Sequence, residues 1–189
     1  MTTNDQGTPL GNQFPRAIWI TAALTLPMLG LIVSPIWWPN GGFSSPLFGL
    51  LGFNGLSLIV YPLVYFGGLT LYARKLQSLL GRIQDQDRRL PLDAVWLVIA
   101  VPFNFVGSFF VVAGTAQSLI VDGRITPARV QRWRWLGFAW CSFQVLAFFP
   151  NMAVSFTALL ISYVLWAAHW VYSVTLDEQL ASSTEAAGE

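Results

Sequence analysis

The stretch LAFFPNMAV, residues 146–154, places a proline next to an asparagine inside the charge-free block 135–176. As one helix that block is about 63 Å long at about 1.5 Å per residue, about twice the ~30 Å hydrocarbon core of a bilayer. Pro150 removes a backbone donor and clashes with the preceding turn, and Asn151 tolerates turn geometry. The sequence therefore predicts a turn at FFPN that separates two membrane-length helices: 133–149 and 152–174.

The composition indicates that the chain belongs in lipid. Apolar residues make up 54% of it and charged residues only 10%, whereas a soluble domain has about 25% charged residues. Two further blocks, 17–73 and 94–121, also lack charges, because the charged residues are gathered in short loops and tails. No basic surface large enough for nucleic acid remains. We expect an all-α, polytopic, integral membrane protein with no nucleic-acid partner.

The two other charge-free blocks are also longer than one crossing. The first is divided by PNGGFSS, residues 39–45, which is typical of a turn and predicts a hairpin of helices 17–38 and 46–73. The middle block contains PFN, residues 102–104, and allows two interpretations.

In one interpretation, the middle block is a single long, kinked helix that crosses the membrane once. In the other, the chain folds back at PFN, with a short arm over 92–101 and a longer arm over 104–121. The short arm is then re-entrant and must be covered by neighbouring helices, because lipid cannot hydrogen-bond open backbone groups.

The distribution of positive charge favours the fold-back. The loops that flank the middle block, 74–93 and 122–134, are both rich in arginine. They lie on the same side of the membrane only if the block folds back, and positive loops are retained in the cytoplasm. We therefore expect three helical hairpins with five or six membrane segments, both termini cytoplasmic, in the inner membrane.

Each expected hairpin has a proline and an asparagine at its tip: Pro39, Asn40, Pro102, Asn104, Pro150 and Asn151. These pairs are either a degenerate internal repeat or simply the usual residues of tight turns. Over the middle block, the short PFN turn resembles the hairpins of small bacterial polytopic membrane proteins of unassigned function. That resemblance implies a bacterial membrane protein and no particular activity.

The two ends of the chain are predicted to be flexible tails. Residues 1–16 are mostly polar and punctuated by Gly and Pro, and residues 177–189 are acidic and small. Segments of this composition bury too little apolar surface to fold by themselves. Residues 17–176 are then a single membrane domain.

Basic side chains near the membrane surface are predicted to contact lipid headgroups. The segment 73–86 has leucines at helical spacing with cations opposite, which is typical of a helix in the headgroup layer or, alternatively, of a helix that binds a partner. Thr126 and Pro127 are helix-start signals, and a helix is expected to enter the bilayer from there. The expected headgroup contacts are Arg74, Lys75, Arg82, Arg129, Arg132 and Arg134.

Groups suited to catalysis are nearly absent from the charge-free blocks. The one histidine, His169, is interpreted as an interfacial residue between two tryptophans, with a single axial ligand to a porphyrin as the alternative. Cys141 is interpreted as a small buried hydrophobe. Ser155 and Ser162 have no second histidine or lysine within the charge-free blocks to activate them, and no zinc or phosphate-binding motif occurs. We expect no enzyme activity, cofactor or metal.

Two functional hypotheses remain. The first is a non-catalytic accessory, sensor or immunity-type subunit that packs, through its small residues, against itself or a larger membrane partner. The alternative is a small oligomeric channel or transporter for an ion or small solute, which requires Asn104, Ser108 and Thr115 to converge with Gln144 on one water-filled axis. The subunit is favoured because no intramembrane charge marks a conduction path. The residues expected to line such a path are Asn54, Thr70, Asn104, Ser108, Thr115, Gln117, Gln144, Ser155 and Ser162.

Overall fold

The computed structural model describes residues 57–100, 104–149 and 151–186. Within these residues the chain is helical and contains no strand, so the predicted all-α class is confirmed there. The elements are α1 (Ser57–Gly81), a 3₁₀ helix (Leu92–Val98), α2 (Asn104–Asp122), α3 (Pro127–Leu146) and α4 (Met152–Ala186). The predicted helix 17–38, the first part of 46–73, and Pro39, Asn40, Pro102 and Pro150 lie outside the described residues.

The chain reverses direction between α3 and α4. Asn151 caps the start of α4, because its Oδ1 accepts a hydrogen bond from the Val154 N–H at 3.1 Å. Close to the turn, the Ser155 hydroxyl donates to the carbonyl of Ala147, and at the far end Trp133 of α3 bonds Ser173 of α4. The two helices are therefore antiparallel neighbours.

The start of α3 follows its sequence signals. Thr126 occupies the N-cap position and Pro127 the first helical position, as predicted, although the Thr126 side chain makes no capping hydrogen bond. The predicted span is 133–149, whereas the helix begins at Pro127 and ends at Leu146. Three residues of turn follow.

The segment before α2 folds back along it. The Arg89 N–H donates to Ser118 Oγ at 2.8 Å, and a Cβ on Gly107 would lie 3.1 Å from the Cβ of Leu97. Residues 89–97 therefore run antiparallel to α2, and small residues of α2 allow the close approach.

The short arm differs from the predicted helix 92–101. It is a 3₁₀ helix that ends at Val98. Residues three apart eclipse one another in this geometry, which places Val95 and Val98 on one face, and both are buried. That face packs against α1 and α2.

The helices form a closed order in which α1 contacts α4, α4 contacts α3, α3 contacts α2, and the 3₁₀ helix lies against both α2 and α1. The C-terminal half of α1 supplies much of the core, where Leu76, Leu79 and Leu80 have no exposed surface. The predicted flexible tail from Asp177 is wrong over most of its length. α4 continues to Ala186 because Leu176 and Leu180 pack in the same core.

Charged residues lie at one end of the bundle. Those of the described chain fall within 74–93, 122–134 and 177–185. These segments meet in space, since Arg124 Nη2 donates to the carbonyl of Arg82 at 2.6 Å and Arg129 Nη1 donates to Gln179 Oε1 at 2.9 Å. We call this the charged end, and the opposite end, where α3 turns into α4, the charge-free end.

By length and composition, α4 is the one helix of the described residues that is suited to cross a bilayer. The most apolar 18-residue window of its segment 153–183 has a mean hydropathy of 1.6, and 22% of that window is buried inside the bundle. The apolar part of α2, Val106–Asp122, is shorter.

Candidate functional site

The distribution of side chains around α4 is the reverse of that in a water-soluble helix. Its outward residues include large apolar side chains, from Val154 at 38% exposed to Val164 at 69% exposed. Its buried residues include polar side chains at spacings of seven and four, which places them on one face. The members of this polar face are Ser155, Ser162, His169, Ser173 and Asp177.

His169 lies at the centre of the polar face and has no exposed surface. Its Nδ1 is 2.8 Å from the Tyr72 hydroxyl of α1. Its ring lies against Trp133 of α3, with 4.4 Å between the ring centroids, and near Trp140 at 6.0 Å. One imidazole therefore connects three helices.

The second ring nitrogen of His169 faces the backbone of α3. A Cβ on Gly137 would lie 2.6 Å from His169 Nε2 and 2.8 Å from a methyl group of Val112 on α2. Gly137 is needed here because any side chain would occupy the space that the imidazole fills.

The interpretation of His169 as an interfacial residue is therefore wrong. The side chain is enclosed by α1, α2 and α3. Its contacts come from parts of the chain that are distant in sequence, so the neighbouring residues of His169 do not indicate them. The porphyrin alternative does not fit either, since Tyr72 occupies Nδ1 and Gly137 closes the approach to Nε2.

Trp133 is held in place by a hydrogen bond as well as by stacking. Its Nε1–H donates to Ser173 Oγ at 2.9 Å, and the Ser173 hydroxyl donates to the carbonyl of His169 at 2.8 Å. Trp133 is fully buried, so its one polar group needs this acceptor. The pair fixes the height of α3 relative to α4.

Asp177 ends the polar face at the charged end, where it joins α4 to α1. Its carboxylate accepts hydrogen bonds from Lys75, from Arg82 Nε at 2.6 Å and from the Ser78 hydroxyl at 3.3 Å. The Asp177 side chain is 3% exposed, while those of Lys75 and Arg82 are 26% and 39% exposed. The cluster therefore buries the anion and leaves the cations partly in contact with the surroundings.

The structure divides the six predicted headgroup contacts into two groups. Lys75 and Arg82 bind Asp177, and Arg129 donates to Gln179. The remaining three have no hydrogen bond or ion pair to another described residue: Arg74, Arg132 and Arg134.

The four residues required by the channel hypothesis lie in the packed interior. Asn104, Ser108, Thr115 and Gln144 are all buried. Ser108 donates to the carbonyl of Asn104 at 2.6 Å, and Gln144 Nε2 donates to the Tyr65 hydroxyl at 2.7 Å. Among the described residues no hydrogen bond joins any two of these four side chains.

Replacement of Tyr72 with phenylalanine tests the contact with His169. The substitution keeps the ring that packs against Trp140 at 5.4 Å between centroids but leaves His169 Nδ1 without its partner. We expect the free energy of unfolding to fall by about 1–2 kcal/mol, measured by thermal unfolding of the detergent-solubilised protein. Tyr72→Phe in a His169→Phe background should cost much less, and an equal loss in both backgrounds would show that the hydrogen bond contributes nothing.

Features associated with reactive centres are sparse in the described residues. No group of three or more His, Cys, Asp or Glu side chains there is placed to hold a metal ion. Cys141 is buried and unpaired. In comparisons with protein-family models, curated proteins and solved structures, none matched this chain.

Proposed function

We propose that the protein is a polytopic integral membrane protein that acts without catalysis, as an accessory, sensor or immunity-type subunit that packs against itself or a larger membrane partner. The observation that carries the membrane part is the segregation of charge: charged residues lie at one end of the described bundle, while the exposed flanks of α1 and α4 are apolar. Exposure of many large apolar side chains on one flank is costly in water and favourable in lipid.

The fold-back before α2 supports the three-hairpin topology. It brings the arginine-rich loops 74–93 and 122–134 together, through the contact of Arg124 with Arg82. Both loops then lie on one side of the membrane, which the positive-inside rule assigns to the cytoplasm. On this proposal the 3₁₀ helix is a re-entrant arm, and the protein lies in the inner membrane of a bacterium.

The packing of the polar face supports a subunit rather than an enzyme. His169 and Asp177 are the ionisable groups on that face, and both contact other side chains of the bundle instead of lining a cleft. The enclosed positions of Asn104, Ser108, Thr115 and Gln144 give the channel alternative no support. The outward apolar faces are the surfaces left for a membrane partner or a second copy.

The test has two steps. The chain should stay in the membrane fraction after alkaline carbonate washing, and purification in mild detergent from native membranes should recover a second copy or another membrane protein in fixed ratio. Val164→Trp enlarges an outward residue of α4, and Leu63→Trp enlarges one of α1, with both positions about 70% exposed. One of these variants should lose the partner while it keeps the thermal stability of the monomer. Repeated recovery of a lone monomer would contradict the subunit proposal, and ion flux in liposomes would favour the channel.

A further inference from the structure

Three arginines occupy the first two turns of α3 without an acidic residue anywhere on that helix. Arg129 is engaged by Gln179, but Arg132 and Arg134 have no ion pair among the described residues. Two buried carboxylates of the charged end are already used by other cations, Asp122 by Arg124 and Asp177 by Lys75 and Arg82.

The guanidinium of Arg134 is positioned by aromatic rings. Its Cζ lies 5.7 Å from the ring centroid of Trp135 and 6.0 Å from that of Phe138. Its Nε is shielded from solvent and has no acceptor among the described residues. A shielded N–H without an acceptor is costly, and stacking on aromatic rings does not neutralise the positive charge of the guanidinium. Arg134 is therefore suited to bind an anionic partner.

Trp135 lies between Arg134 and Arg132 on the surface of α3. Arg132 and Trp135 are three residues apart on the outward face of α3, and Trp135 is 59% exposed despite its large apolar ring. Tryptophan is favoured at the headgroup level of a bilayer because its ring is apolar and its N–H is polar. The same face continues toward the charge-free end with Leu146, which is 40% exposed.

We propose that Arg132, Arg134 and Trp135 form a binding site for the phosphate of an anionic phospholipid. The planar guanidinium groups suit the phosphate oxygens, the indole lies beside the glycerol region, and the acyl chains follow the apolar face of α3. A free phosphate ion would explain the arginines but not the exposed tryptophan or the apolar face below it. The inference rests on the proposed membrane location of the chain.

The experiment titrates the purified full-length protein in neutral detergent with phosphatidylglycerol and with phosphatidylcholine, and counts bound lipid by native mass spectrometry. Phosphatidylglycerol should bind more tightly. Arg132→Gln and Arg134→Gln should each weaken its binding by about fivefold, as one cation near a membrane surface contributes. Arg134→Lys keeps the charge but not the planar stack, and an intermediate loss is expected.

Arg74→Gln is the matched control, because Arg74 is also exposed and unpaired but lies on α1. It should change the dissociation constant by less than about twofold. Equal losses for all three glutamine variants would overturn the site, since general surface charge would then account for the binding. Competition by soluble glycerol phosphate at the same concentration as the lipid would overturn the lipid as the source of the phosphate.

Two further readouts separate the possible failures. Trp135→Leu changes an exposed position and should weaken phosphatidylglycerol binding without loss of helix content. This variant tests the site even where an arginine variant does not fold, and unchanged binding of phosphatidylglycerol to it would count against the site. Release of the wild-type chain by carbonate washing would contradict the proposed membrane location, whereas a membrane-embedded chain without preference for phosphatidylglycerol would contradict the lipid site alone.

Discussion

Asp177→Asn is expected to lower the free energy of unfolding by about 2–3 kcal/mol. The carboxylate is 3% exposed and accepts hydrogen bonds from Lys75, Arg82 and Ser78, and hydrogen bonds to charged groups contribute about 1.5–3 kcal/mol each. The two cations are partly exposed and recover some solvation, which keeps the loss below that of a fully buried pair. The substitution should separate the end of α1 from α4.

The measurement is thermal or chemical unfolding of the purified protein in detergent. Asp85→Asn serves as the matched control, because Asp85 also forms an ion pair, with Arg88, but its side chain is 92% exposed. That control should change the free energy of unfolding by at most about 0.5 kcal/mol. Equal effects of the two substitutions would show that the Asp177 cluster is no more important than a surface ion pair.

Gly137→Ala is expected to cost about 2 kcal/mol or more. The new methyl group would lie 2.6 Å from His169 Nε2 and 2.8 and 3.0 Å from the two methyl groups of Val112. Neither neighbour moves easily, because the imidazole is held by Tyr72 and Trp133 and a helical valine has one strongly preferred rotamer. Overpacking of this kind costs about 1–3 kcal/mol in well-packed interiors.

Gly67→Ala is the same substitution in an open environment. Gly67 also lies inside a helix, but a Cβ there meets nothing within 4 Å, so the gain in helix propensity of about 1 kcal/mol should dominate. Thermal unfolding should therefore shift in opposite directions for the two variants. A Gly137→Ala protein as stable as wild type would mean that the contact between His169 and α3 is looser than described.

The turn between α3 and α4 could be predicted because its signal is local. A charge-free block twice as long as a bilayer crossing must turn, and FFPN offers one place for it. The start of α3 at Pro127 could be predicted for the same reason, because Thr126 and Pro127 act on the backbone directly around them.

The polar face of α4 could not be read from neighbouring residues. Asp177 and Lys75 are 102 residues apart, and Tyr72 and His169 are 97 apart, so no short window of sequence contains either pair. One signal was present. The polar residues Ser155, Ser162 and His169 recur every seven positions in an apolar helix, and that period predicts one buried face.

The 3₁₀ arm and the length of α4 also depend on contacts between residues that are far apart in the sequence. Residues 92–98 are held against α1 and α2 by the buried side chains of Val95 and Val98. The acidic segment after Asp177 has the composition of a tail, yet Leu176 and Leu180 in the core hold it in the helix.

The most direct test of the topology is labelling of single cysteines with a membrane-impermeant maleimide. The new cysteines replace Asp85, Thr126 and Asn151, which are all exposed, and wild-type protein is the blank because native Cys141 is buried. In intact cells the account predicts labelling at position 151 alone, with positions 85 and 126 labelled only from the cytoplasmic side. Labelling of positions 85 and 126 from opposite sides would contradict the fold-back and the three-hairpin membrane protein proposed from it.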